Sequence, residues 1–215
     1  MIRRHFIVVA ALLAQAAARA AQQKRRPASR TTTILVLGDS LSAEYGLPRG
    51  TGWVALLQKR LAADRIAASV QNASISGETT AGGLSRLPAL LAQDRPGIVI
   101  IELGANDALR GLSLAATKDN LNRMTLLAER AGAKVLLLGM QVPPNYGSDY
   151  TRRFAALYGE VARADRAALV PFFLAGVADA PNAFELFQSD GIHPVAAAHP
   201  TLLANVWPEL QRLLR

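Results

Sequence analysis

Residues 97–107 read GIVIIELGAND, an apolar run that meets Glu102, ends on Gly104 and turns polar at once. No polar residue alternates through its first five positions, as expected of a strand covered on both faces, the kind that parallel sheets use. Outward from this stretch the same pattern recurs. Residues 32–37 (TTILVL) stop at Gly38, residues 67–73 form a second run, 134–140 (KVLLLGM) a fourth and 169–173 a fifth. Between them apolar residues fall at helical spacing: Trp53, Leu56, Leu57 and Leu61 within 53–61, then 84–92, then Leu121, Met124, Leu127 and Ala128 within 114–131, then 151–166. A closing helix is expected over 196–214. Strands that alternate with helices imply parallel crossover connections. The expected fold is therefore α/β, a three-layer α/β/α sandwich with a five-stranded parallel sheet, formed by residues 32–215. A chain of 215 residues is long enough to close one such core.

Ligands of open parallel sheets bind beyond the carboxyl ends of the strands, so chemistry is sought in the segments that follow strands. Residues 38–42 (GDSLS) follow the first, 72–77 (NASISG) the second and 104–107 (GAND) the third. Residues 189–194 (SDGIHP) follow the last strand and precede the last helix. Cysteine is absent, which excludes a cysteine nucleophile and thiolate metal sites. Histidines and acids are not clustered in the sequence, so no metal and no cofactor are expected. Residues 50–55 (GTGWVA) fit a dinucleotide-type pattern but do not directly follow a strand. No G-x-S-x-G elbow is present, which argues against the α/β-hydrolase fold.

Together these segments resemble the GDSL, or SGNH, hydrolase superfamily. The likeness runs from about Thr33 to the C-terminus through ILVLGDSLSAEYGL, NASISGETT, RLPALL, ELGANDALRG, PPNYG and DGIHP, in matching order. Ser40, Gly77, Asn106 and His193 stand at the signature positions, and the chain looks closest to the bacterial periplasmic thioesterase/arylesterase/lysophospholipase group. The resemblance implies a flavodoxin-like SGNH hydrolase fold and ester hydrolysis through an acyl-enzyme, with Ser40 as nucleophile. A serine hydroxyl needs an adjacent base, and the three histidines are His5, His193 and His199. His193 lies three residues after Asp190, where a carboxylate can orient an imidazole. His199, before Pro200, has no such neighbour in sequence and is read as a partly exposed helix-face residue.

By the same resemblance the oxyanion donors are the N–H groups of Ser40 and Gly77 and the side-chain amide of Asn106. Glycine at 77 permits close approach or an unusual backbone angle, and an asparagine amide donates without titrating. Asp39 and Asp107 are read as loop supports, and Glu44 as a surface residue. Ala105 and Ala108 stand where the closest relatives often carry glycine. Their methyls are expected to stiffen a loop over the acyl chain and narrow the range of acyl lengths.

At the N-terminus, Arg3 and Arg4, an apolar stretch over 6–13 and Ala18-Arg19-Ala20 have the layout of a signal peptide cleaved after Ala20. The stretch is shorter than the roughly 20 residues of a membrane span. Residues 21–31 then form a basic flexible leader. The full chain carries a formal charge of +8; loss of the signal removes Arg3, Arg4 and Arg19, leaving 21 basic residues against 16 acidic ones, or +5. The leader has no aromatics to stack on bases, so no nucleic-acid partner is expected. It can meet an anionic membrane surface peripherally. The reading is a monomeric periplasmic or secreted esterase acting on a small-molecule or lipid ester. Two alternatives stay open: a carbohydrate O-acetylesterase of the same superfamily, and a non-catalytic flavodoxin-like binding module, which would have no need of Asp190-x-x-His193.

Overall fold

The computed structural model describes residues 31–215. The expected signal peptide, and all of the leader before Thr31, lie outside the described residues.

Five strands form one parallel sheet: β1 (Thr32–Gly38), β2 (Ala68–Asn72), β3 (Ile98–Glu102), β4 (Lys134–Leu138) and β5 (Ala168–Val170), in the order β2-β1-β3-β4-β5. The register sets Val36 beside Ile100 and Leu37 beside Ile101, so the two central strands mass β-branched and leucine side chains at mid-sheet. Every residue of β3 is buried. This is why the sequence shows no polar alternation there: helices cover both faces. On one side α1 (Trp53–Ala63) packs against the last long helix, α7 (His199–Leu213), and Arg60 lies 4.0 Å over the Trp207 ring. On the other side α2 (Thr80–Asp94), α4 (Leu114–Arg130) and α5 (Ser148–Asp165) pack in that order. Two short helices, α3 (Ala105–Leu109) and α6 (Ala183–Leu186), complete the chain order; neither is foreseen by periodicity, because one turn is too short to show a period.

The five-stranded parallel α/β sandwich expected from sequence is the observed one; its boundaries differ in places. The fifth strand stops at Val170 because Pro171 has no N–H for the ladder. The last helix starts at His199, not at residue 196, since residues 196–198 form a separate 3-10 turn and Pro200 occupies the first helical turn. Helix α2 starts earlier than its apolar pattern, at Thr80, because the Thr79 side chain accepts the Gly82 N–H at 3.3 Å and caps it.

The strand order decides where a ligand sits. From β1 the chain goes to β2 on one flank, then returns past β1 to β3 on the other, so the loops after β1 and β3 part and leave a crevice. Gly104, just after β3, has φ of 120°, and a Cβ there would overlap the Tyr158 hydroxyl, which donates to the Leu103 carbonyl at 3.0 Å. Gly104→Ala is expected to destabilise the fold by about 2–4 kcal/mol, through strain at positive φ and overpacking. Thermal melting checks this, and an unchanged midpoint would contradict it.

Candidate active site

Asp39 opens a tight turn directly after β1. Its carbonyl accepts the N–H groups of Ser42 and Ala43, and its Oδ1 accepts that of Leu41 at 3.0 Å. The turn lifts Ser40 to the sheet rim, half-buried, while Asp39 stays buried beneath it. The segment after β2 is tied alongside: Ile75 donates its N–H to the Gly38 carbonyl, and Asn72 Nδ2 donates to the Ser42 carbonyl at 2.8 Å. Gly77 has φ of 78°, and a Cβ there would meet only Arg110 Nη2 at an ordinary 3.5 Å, so it is the backbone angle, and not close approach, that calls for glycine there. Arg110, just past α3, donates to the Gly77 carbonyl at 2.8 Å and links this segment to the one carrying Asn106.

Asn106 sits in the first turn of α3 and donates from Nδ2 to Asp39 Oδ2 at 2.9 Å. The segment is a helix, not the loop expected. Its Ala105 lines the cavity described below, whereas Ala108 is buried beneath it and does not. Asp107 points the opposite way, into the fold. Its carboxylate accepts from the N–H and hydroxyl of Thr80 and from the Thr117 hydroxyl, joining α2, α3 and α4.

From across the rim comes the turn at residues 190–193. Asp190 Oδ1 accepts the N–H groups of Ile192 and His193 at 2.9 and 3.0 Å, and its Oδ2 lies 2.6 Å from His193 Nδ1. His193 Nε2 lies 2.9 Å from Ser40 Oγ, although the two residues are 153 apart in sequence. The Tyr45 ring covers the imidazole at a centroid distance of 4.3 Å. Gln188 ties the two loops, donating to the carbonyls of Tyr45 and Pro194 at 3.0 and 3.2 Å. Hydrogen bonds from the His193 ring and from the backbone N–H groups of His193 and Ile192 hold the Asp190 carboxyl down at about 2. The stabilisation they give is present above the ordinary value of 3.8 and is lost only as pH falls towards about 2.

Asp39 shows the opposite behaviour. Burial pushes its carboxyl up to about 6, against the hydrogen bonds from Leu41 and Asn106. Between 3.8 and about 6 the folded chain therefore keeps a proton that the unfolded chain has lost, and stability falls as pH rises through that window. Asp39→Asn is expected to reduce this fall. Urea-unfolding free energies of the two proteins across the window check it, and parallel curves would contradict it.

Two expectations from sequence are corrected. His199 is buried, not partly exposed: its Nδ1 accepts the Trp53 N–H at 2.9 Å, a partner 146 residues away that no local pattern reveals. Burial lowers the affinity of its imidazole for a second proton. Glu44 is half-buried and not a free surface carboxylate. It folds back to accept the N–H groups of Gly50 and Gly52 at 2.8–3.1 Å. Glu44 and His199 thereby occupy the N–H groups of Gly50, Gly52 and Trp53 at the start of α1.

A cavity of about 440 Å³ opens from Ser40, Asn106 and His193. Much of its lining is apolar, with Leu109, Met140, Val142, Phe172, Leu174 and Phe187, beside the polar Gln141 and Asp179. Tyr45, Glu102 and Gln188 were not singled out from sequence. Of these only Glu102 carried a signal, as the one charged residue within the GIVIIEL run.

Sheet, crevice and rim loops are those of a carboxylic-ester hydrolase. Within that class the chain belongs to the GDSL-like lipase/acylhydrolase family, whose model matches residues 36–200. It is 57% identical over 181 residues to the esterase TesA of Pseudomonas aeruginosa, covering 84% of this chain and 89% of that one. It is 40% identical over 181 residues to thioesterase 1/protease 1/lysophospholipase L1 of Escherichia coli strain K12, covering 84% of each. The crystal structure of the psychrotrophic esterase EstA from Pseudoalteromonas sp., inhibited by monoethylphosphonate, matches with a TM-score of 0.80 at 39% identity, over 85% of this chain and 98% of that one.

Proposed function

We propose that this chain is an exported serine esterase that cleaves carboxylic esters and thioesters through an acyl-enzyme, with Ser40, His193 and Asp190 as its triad. The observation that carries the reading is the unbroken series from Ser40 Oγ to His193 Nε2 (2.9 Å) and from His193 Nδ1 to Asp190 Oδ2 (2.6 Å). Asp190 fixes the tautomer that leaves Nε2 free to take a proton. Ser40 Oγ attacks the substrate carbonyl carbon as its proton passes to Nε2. The carbonyl oxygen, now negative, meets the N–H groups of Ser40 and Gly77 and the Asn106 amide. Among the described residues neither N–H has an internal hydrogen-bond partner, and Asn106 commits only one amide hydrogen, to Asp39. When the C–O or C–S bond breaks, the leaving group takes the proton from His193. Water then gives a proton to Nε2 and attacks the acyl carbon; the acyl C–Oγ bond breaks, Ser40 Oγ takes the proton from Nε2, and the carboxylic acid leaves.

The largely apolar lining of the cavity suits an acyl chain longer than acetyl, which favours aryl and short-to-medium acyl esters or lysophospholipids over carbohydrate acetates. Export rests on the signal-like layout of residues 1–20, and an exported enzyme meets lipid and foreign esters more often than acyl-CoA. A phosphonate-inhibited relative makes a fluorophosphonate the natural probe. Native protein is expected to be labelled and Ser40→Ala not. A panel of p-nitrophenyl esters, an acyl thioester and lysophosphatidylcholine is expected to give rates that rise beyond acetyl. Labelling that survives Ser40→Ala, or activity confined to acetyl esters, would overturn this reading.

A further inference from the structure

Beneath the nucleophile turn lies a carboxyl group that the hydrolytic steps do not use. Glu102 ends β3 and is completely buried. Its Oε2 accepts the Asp39 N–H at 3.2 Å and the Ser42 hydroxyl at 2.7 Å, and that hydroxyl oxygen in turn accepts the Trp53 indole N–H at 3.1 Å. Oε1 is buried with no donor facing it. Gly38 shows how closely the group is fitted: a Cβ there would stand 2.8 Å from both Glu102 Oε2 and Ser42 Oγ.

The Asp39 side chain is within hydrogen-bonding reach of Glu102. Among the described residues no Lys or Arg forms a salt bridge with either. Two buried carboxyls in contact cannot both ionise. Asp39 receives N–H donors on both oxygens, from Leu41 and Asn106, which suits an anion; Glu102 has one oxygen with no donor, which suits an acid.

We propose that Glu102 is a positioning residue: as a neutral carboxylic acid it donates its O–H to Asp39, and the Asp39 anion it supports fixes the Asn106 amide beside Ser40. The proposal rests on the esterase reading only for the use made of Asn106. An anionic Asp39 accepts Nδ2 and repels Oδ1, so the amide is held with its second N–H free. A neutral Asp39 could donate to Oδ1 and let the amide turn over, presenting an acceptor where a donor is needed. Burial drives both carboxyls upward, and the neighbouring Asp39 charge pushes Glu102 further still, so the shared proton rests on Glu102. The other titratable groups facing the pair are Tyr158 from α5, whose hydroxyl burial pushes up, and His193 from the rim; Asp107 from α3 acts on Tyr158, with its own carboxylate turned to Thr80 and Thr117.

The test compares native protein with Glu102→Leu and Glu102→Gln. Glutamine keeps a donor and an acceptor side by side without a charge, as a protonated glutamate does, although its amide carries a second N–H; leucine offers neither. Glu102→Leu is expected to lose about ten- to a hundredfold in kcat on p-nitrophenyl butyrate with KM changed less than about twofold, a fraction of the cost of deleting an oxyanion donor. Glu102→Gln is expected to rescue kcat to within about threefold of native and to keep the native pH profile between about pH 5 and 9. The infrared difference between native protein and Glu102→Gln at neutral pH is expected to show the carbonyl band of a protonated carboxyl. This readout requires no turnover, and it decides together with the glutamine variant if leucine prevents folding. Absence of that band, or a glutamine variant no better than leucine, overturns the proposal while fluorophosphonate labelling at Ser40 leaves the esterase reading standing. Labelling that survives Ser40→Ala strikes the esterase reading instead and leaves the infrared band untouched.

Discussion

Ser40→Ala is expected to lower kcat on a p-nitrophenyl ester by roughly 10⁵- to 10⁶-fold with little change in KM, because it removes the hydroxyl that lies 2.9 Å from His193 Nε2. His193→Ala is expected to cost a similar factor, and the double variant no more than either single one, since nucleophile and base act as a unit. Asp190→Asn is expected to cost about 10⁴-fold, by releasing the imidazole into the wrong tautomer. Single-turnover kinetics with active-site titration check all four proteins. Losses that multiply in the double variant would show that the serine and the histidine do not serve one step.

Asn106→Ala is the second large effect. Deleting an oxyanion donor costs about 10²- to 10³-fold in kcat, or about 2.7–4 kcal/mol of barrier. The loss is expected in kcat and in the rate of phosphonate labelling, and not in KM, because the donor meets charge that exists only in the transition state. A variant that instead raised KM at constant kcat would make Asn106 a ground-state contact. The Nδ2–Asp39 hydrogen bond holds the amide in place without substrate, so in the proposed role it would need no reorganisation as charge develops.

Much of the fold was legible because burial on both faces leaves an unmistakable run. The residues of β1, β3 and β4 that face helices on either side are Ile, Leu and Val, and their glycine stops mark the rim. The rim segments could likewise be found as the polar pieces that follow strands. What stayed hidden was which side chains turn back on backbone N–H groups, near or far in the chain. His199 has its partner 146 residues away at the start of α1, and Glu44 has its own across a loop that only the backbone turn at φ 59° reveals. Nothing in either neighbourhood of the sequence distinguishes a capping side chain from a solvated one. Glu102 lay in plain view, yet a lone acid at a strand end does not say which carboxyl it will meet.

The turn at residues 190–193 has one more implication. Its aspartate has three hydrogen bonds within four residues, one with the imidazole and two from the N–H groups of Ile192 and His193, so the two side chains form a cassette braced by its own turn. The contact with the hydroxyl across the crevice is the separable one. On the proposed reading, a displacement of this segment by about the length of one hydrogen bond would silence hydrolysis reversibly, leaving the sheet intact and the acid–base couple ready to re-engage.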